Sequence, residues 1–156
     1  VALLIWLALP MARLRLPVAS ALLVAGLAVG CAGNPAPGDS GYAYNLNGPY
    51  EAVFEAQGTG YTGTMSISTA PGGVVTGTVL LTSPAEVIGD VTGMVADSTF
   101  QFESDYMRDG GCGGTLLGAG PIESGGAGSS GLIEIADDCM GGMMEGSFEL
   151  ALPADG

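Results

Sequence analysis

A histidine base is the usual way for a protein to move protons near neutral pH, and this chain contains no histidine. It has no lysine either, its three basic residues being Arg13, Arg15 and Arg108. The chemistry left open belongs to carboxylates, thiols and thioethers. Asp105 and Asp109 lie in the stretch D-Y-M-R-D-G-G-C, and Asp137 and Asp138 in D-D-C-M-G-G. Two carboxylates held together can act as general acid and base, and several of them with backbone carbonyls can hold calcium. No twelve-residue calcium loop accompanies these four, so exposed turn acids are the simpler reading and calcium ligation the weak alternative. Neither a resident metal nor an organic cofactor is expected. Met140, Met143 and Met144 are soft enough to ligate a transition metal, but a tight turn running into a strand with one inward methionine accounts for them. Cys112 and Cys139 make a poor zinc set without histidine. Arg108 is the natural ion partner of a neighbouring acid.

Strands must position these residues. Between Tyr50 and Leu152 apolar side chains recur with a period of two, in short runs separated by glycine-rich turns, which is the pattern of half-buried strands. Eight runs can be counted: 50–56, 62–68, 74–82, 86–95, one centred on Phe100 to Tyr106, 114–122, 132–137 and 144–152. The alternation turns Tyr50, Ala52 and Phe54 inward, then Met65 and Ile67, then Val75, Val79 and Leu81, then Val87, Val91 and Val95. Phe100, Phe102 and Tyr106 follow, alternating with Gln101, Glu103 and Asp105 on the water side. Ile133 and Ile135, and finally Met144, Phe148, Leu150 and Leu152, complete the inward set. Gly89 and Gly93 suggest a bulge or bend in the fourth run, and Pro121 a strand end or edge.

Residues 11–31 follow another pattern: M-A-R-L-R, then L-P-V-A-S-A-L-L-V-A-G-L, then A-V-G-C. A basic start, an apolar stretch and small residues ahead of a cysteine resemble the lipobox signal of bacterial lipoproteins. The resemblance implies a signal-peptide helix over 1–30 that is removed, acylation of Cys31, and a lipid-anchored place in the cell envelope. Ala32 is not the aspartate that retains Gram-negative lipoproteins at the inner membrane, which favours the outer membrane where the organism has one. A translation start at Met11 would put both early arginines in the basic region and make 1–10 a start-site artefact. Pro10 and Pro17 interrupt the apolar stretch, leaving neither piece near the roughly 20 residues of a spanning helix. Residues 31–41, rich in glycine, proline and alanine, read as a flexible tether, and 42–156 as the β domain. All 16 acidic residues lie beyond Cys31, against Arg108 alone. Such a surface repels phosphate backbones and anionic head groups, so no nucleic-acid partner is expected and membrane attachment falls to the lipid. In an exported, oxidising setting Cys112 and Cys139 are expected to form a disulfide.

That bridge supports the strand pairing. Opposed residues of an antiparallel hairpin have numbers with a constant sum, and a Cys112–Cys139 pair places the tip between Gly125 and Gly126, inside S-G-G-A-G-S-S. Eight consecutive strands with short turns predict an all-β, up-and-down antiparallel barrel, which removes exposed edges by closing on itself; a β-sandwich is the alternative. The turn and strand chemistry of G-G-V-V-T-G-T-V (residues 72–79) is loosely similar to small barrels of the lipocalin and avidin type, a likeness of pattern that carries over no ligand residues. Three functions follow as expectations. The first is a non-enzymatic, lipid-anchored envelope protein that binds an envelope partner or plays a structural role. The second is a calycin-like binder of a small apolar molecule, with Phe100, Phe102, Tyr106 and Phe148 around the cavity. The third is a carboxylate-based enzyme, for which no positive sign is found.

Overall fold

Gln57 and Gly58 both adopt positive φ, the geometry that lets a two-residue turn match the twist of the strands it joins. That turn links β1 (Gly48–Ala56) to β2 (Thr59–Thr69), the first of seven hairpins in a computed structural model that describes residues 33–154. The other strands are β3 (Val74–Ser83), β4 (Val87–Ala96), β5 (Thr99–Arg108), β6 (Gly113–Pro121), β7 (Gly128–Asp137) and β8 (Met143–Ala151). Each pairs antiparallel with its sequence neighbours, and β8 returns to pair with β1, so the sheet is a closed barrel and not a sandwich. The described residues contain no helix. The segment expected to be a signal peptide, 1–30, and Cys31 lie outside the described residues.

The expected inward face is buried nearly throughout, from Tyr50, Ala52 and Phe54 on β1 to Phe148 and Leu150 on β8. Leu152 is a correction: β8 ends at Ala151 and Leu152 is 48% exposed. A second correction concerns Gly89 and Gly93, where β4 keeps uninterrupted register with both neighbours. The bulge lies instead between Thr62 and Gly63, in the pairing of β2 with β3. A third concerns β7, which begins at Gly128, four residues earlier than its apolar pattern suggests. Small residues that resemble a loop are there strand, because Gly131 admits the close approach of the Ala119 carbonyl of β6, which a β-carbon would meet at 2.0 Å, and Ser129 Oγ donates to the Pro121 carbonyl at 2.9 Å.

The β6–β7 hairpin has the register implied by the cysteines. Gly114 pairs with Asp137 and Ala119 with Leu132, and the isolated bridge between Ile122 and Ser129 keeps the same sum. Cys112 and Cys139 are bonded, with Cα atoms 5.8 Å apart. Closing a loop of this length contributes about 3.5 kcal/mol in the loop-entropy model.

Large rings fill the barrel because small residues sit opposite them. Phe102 is paired with Gly118 and Tyr106 with Gly114. A β-carbon added at Gly118 would lie 2.3 Å from the Phe102 ring, closer than any real contact, so the glycine is the space the ring occupies. Phe102 in turn stacks on Phe100 (4.9 Å between centroids) and meets Phe148 edge-on (5.2 Å). Aromatic pairs in these geometries add to what burial alone provides.

One end of the barrel is closed by the chain that precedes β1. The Gly72 N–H donates to the Pro37 carbonyl, and the Gly125 N–H to that of Ala43. The Tyr42 hydroxyl reaches the Asp97 carbonyl at 2.6 Å. These contacts tie the segment to the β2–β3, β4–β5 and β6–β7 turns, all at the same end. Leu46, fully buried, is held by reciprocal hydrogen bonds between its backbone and Thr69 Oγ1. Within the stretch expected as a tether, 31–41, Ala36 bonds with Asp39 and the chain is hydrogen-bonded to the β2–β3 turn at Pro37. A proline- and glycine-rich stretch satisfies its backbone here by docking on turns instead of by forming a strand.

Candidate functional site

At the other end the four turns β1–β2, β3–β4, β5–β6 and β7–β8 surround an opening that leads into a cavity of about 150 Å³. The alternation of β5 supplies one wall with Phe102, Ser104 and Tyr106, and β1 to β4 supply Phe54, Met65, Val79, Leu81 and Val87. Leu116, Ile135 and Met144 complete an apolar lining. Phe54 and Phe102 make the floor, with Phe148 packed beneath them at 6.3 and 5.2 Å. The barrel is thus filled through its lower part and hollow above.

A polar cluster forms one side of the rim. Asp137, the last residue of β7, is 5% exposed and is held on all sides. The Tyr106 hydroxyl donates to its Oδ2 at 2.9 Å, and the backbone N–H groups of Cys139 and Met140 donate to its Oδ1 at 2.9 and 3.0 Å. Arg108 Nη2 lies 3.2 Å from Oδ2. Burial by itself would raise the Asp137 carboxyl, but the Tyr106 hydroxyl, the two backbone donors and the Arg108 charge outweigh it and hold the group below the usual carboxylate range. Tyr106 is pushed well above the ordinary phenol value, by burial first and then by its hydrogen bond to Asp137. Arg108 and Asp137 form an ion pair on the rim, and the disulfide at Cys139 pins the adjoining turn to the start of β6.

Deeper in the cavity stands Ser104, 2% exposed. Its Oγ is, among the described residues, the one buried side-chain oxygen or nitrogen without a hydrogen-bond partner. An unpaired hydroxyl in such a place costs about 1 to 3 kcal/mol. With no base in hydrogen-bond reach, nothing raises its nucleophilicity. The hydroxyl lies over Gly89 of β4 and is closed off from the well, which at this depth presents apolar side chains.

Of the four residues expected around a cavity, Phe102 and Tyr106 line it. Phe100 and Phe148 do not, because both are sealed in the packed layer below. The acids do not gather. Asp105 is exposed and accepts from Thr115 Oγ1, Asp109 and Asp138 are exposed, and Asp137 is buried and already satisfied. Among the described residues no three acidic, histidine or cysteine side chains are grouped to hold a metal ion. Reading Asp137 as an exposed turn acid is corrected by its burial, while Arg108 has the acid partner expected of it. Met144 is the inward methionine and Met143 points to water. Ser104 went unnoticed in the sequence, although its signal was there: in F-Q-F-E-S-D-Y it is the one polar residue on the apolar face. No protein-family model, curated protein or solved structure matches this chain.

Proposed function

We propose that this chain is a lipid-anchored cell-envelope protein whose barrel binds, without catalysis, a small and mainly apolar molecule in its open end. The observation that carries the reading is the cavity itself. An apolar well with a preformed floor and a polar rim has the features of a small-molecule site. Anchoring at Cys31 would tether the domain through the segment that docks on the closed end, leaving the open end to sample the aqueous side. The acidic surface keeps such a domain soluble and clear of anionic head groups.

Methionine-methyl NMR on the purified protein tests binding directly. Met65 and Met144 line the cavity, while Met94 and Met107 lie on the outer wall and report non-specific partition. Benzene should move the first pair and spare the second, and Ala56→Phe, which fills the mouth, should abolish the effect. Equal shifts at all four methionines would refute a cavity site. The anchor is tested separately: a fatty-acid analogue fed to cells should label the wild type and not Cys31→Ala, and equal labelling of both would end that part of the proposal.

A further inference from the structure

We infer that the molecule held in the open end is uncharged and amphipathic, with its apolar part seated in the well and a carbonyl oxygen left at the mouth, where Arg108 donates to it. The inference rests on the reading of this cavity as a binding site and adds the class of ligand.

The position of Arg108 comes first. It is the last residue of β5 and, two residues beyond Tyr106, falls on the inward face of that strand. Its side chain lines the cavity and is 22% exposed, so it stands at the mouth and is reached from there. Second is how little of the guanidinium the protein uses. Among the described residues its one partner is Asp137, met through Nη2 alone at 3.2 Å from Oδ2 and 3.4 Å from Oδ1. Nη1 and Nε, donors as well, have none. Asp137 does not depend on this contact, because it also accepts from the Tyr106 hydroxyl and from the N–H groups of Cys139 and Met140. The guanidinium can therefore take a second acceptor without stranding a buried carboxylate. Charge comes third. Arg108 is the one base beyond Cys31, Asp137 already offsets it, and the residues that follow these two, Asp109 and Asp138, are exposed acids. A carboxylate head group would add a negative charge with no cation left to balance it, and an ammonium group offers the guanidinium no acceptor. A carbonyl oxygen accepts from an N–H and brings no charge. Size completes the class, since a well of about 150 Å³ is of the volume that takes up a benzene ring. The polar group stays at the mouth because Met65, Leu81 and Val87 below would bury it without a hydrogen bond.

Acetophenone, ethylbenzene and benzoate share a ring and bring to the mouth a carbonyl, an ethyl group and a carboxylate. Their dissociation constants would be measured from the Met65 and Met144 methyl shifts, in the wild type and in Arg108→Leu, which removes the donors and keeps an apolar stem. The preference for acetophenone over ethylbenzene should fall roughly tenfold in Arg108→Leu, the lower end for a hydrogen bond to a charged group, with ethylbenzene bound as before. Benzoate should bind the wild type least. Should Arg108→Leu fail to fold, Arg108→Met carries the same comparison with the same readings. A ratio of the two neutral probes unchanged by the substitution, whether both keep or both lose affinity, means that Arg108 does not hold the carbonyl, and the ligand class falls while the cavity site survives. Tightest binding by benzoate would overturn the neutral class in favour of an anion. If none of the three shifts Met65 or Met144, the cavity reading and the ligand class fall together.

Discussion

The two ends of the barrel are built from the same eight strands and differ in what completes them. At the closed end, Leu46, Tyr50, Val95 and Phe100 are at most 1% exposed, and the incoming chain ties three turns together. The Tyr50 hydroxyl donates to the Gly126 carbonyl, so even the polar atom of that large ring is used. At the open end no chain crosses the mouth among the described residues, and the rim holds a disulfide and a partly buried ion pair instead. Packing holds one end and covalent and charged links hold the other, which is what allows the second to stay hollow.

The largest effects should come from the layer that divides the two ends. Phe148→Ala removes the ring beneath the floor and should cost about 3 to 5 kcal/mol, measured by denaturant titration. Phe102→Ala should cost as much and also deepen the cavity. If either variant unfolded at the wild-type midpoint, the aromatic layer would not be the support described here. The disulfide comes next. Cys112→Ser with Cys139→Ser should cost about 3.5 kcal/mol at most in the loop-entropy model and should broaden methionine signals at the open end more than at the outer wall. A uniform response would mean that the bridge restrains the whole chain and has no special bearing on the rim.

Much of this division was legible in the residues, but not all of it. Period two says whether a side chain faces in or out, and on that question Phe100, Phe102, Tyr106 and Phe148 were placed correctly. It says nothing about height along the barrel axis. Which inward rings border a void depends on what lies across the barrel, and Phe148 is sealed only because Phe54 and Phe102 cover it. Residues 36–41 mislead for a different reason. They contain no large apolar side chain, yet their backbone groups, with Leu46 and Tyr42 behind them, find partners on turns distant in sequence. Asp137 misleads because D-D-C-M-G-G has the composition of a solvated turn, and its burial arises from Tyr106 and Arg108 two strands away.

A smaller effect concerns pH. Asp137 is depressed in the folded protein, so its contribution is complete above the unfolded value of about 3.9 and is lost as pH falls through the folded one. Tyr106 is raised, so its contribution is complete below about 10 and is lost as pH climbs beyond that value. Stability should form a plateau between these limits. Asp137→Asn should cost about 1.5 to 3 kcal/mol on the plateau, the range for hydrogen bonds to a charged group, and should flatten the acid limb. An acid limb as steep as the wild type's would assign it to other carboxylates.

The smallest effect is the sharpest comparison, because each end contains one serine that is 2% exposed. Ser129, at the closed end, donates to the Pro121 carbonyl, and Ser104, at the open end, has no partner. Burial, volume and residue type are matched, so the two Ser→Ala substitutions differ only in the hydrogen bond. Ser129→Ala should lose about 1 kcal/mol, the net value of such a bond, and also strand the carbonyl that accepted it. Ser104→Ala should be neutral or slightly stabilising, since it deletes a group whose desolvation nothing offsets. Thermal melts of the two variants side by side would read this difference within one protein. Equal losses would mean that the Ser104 hydroxyl is satisfied in the folded protein.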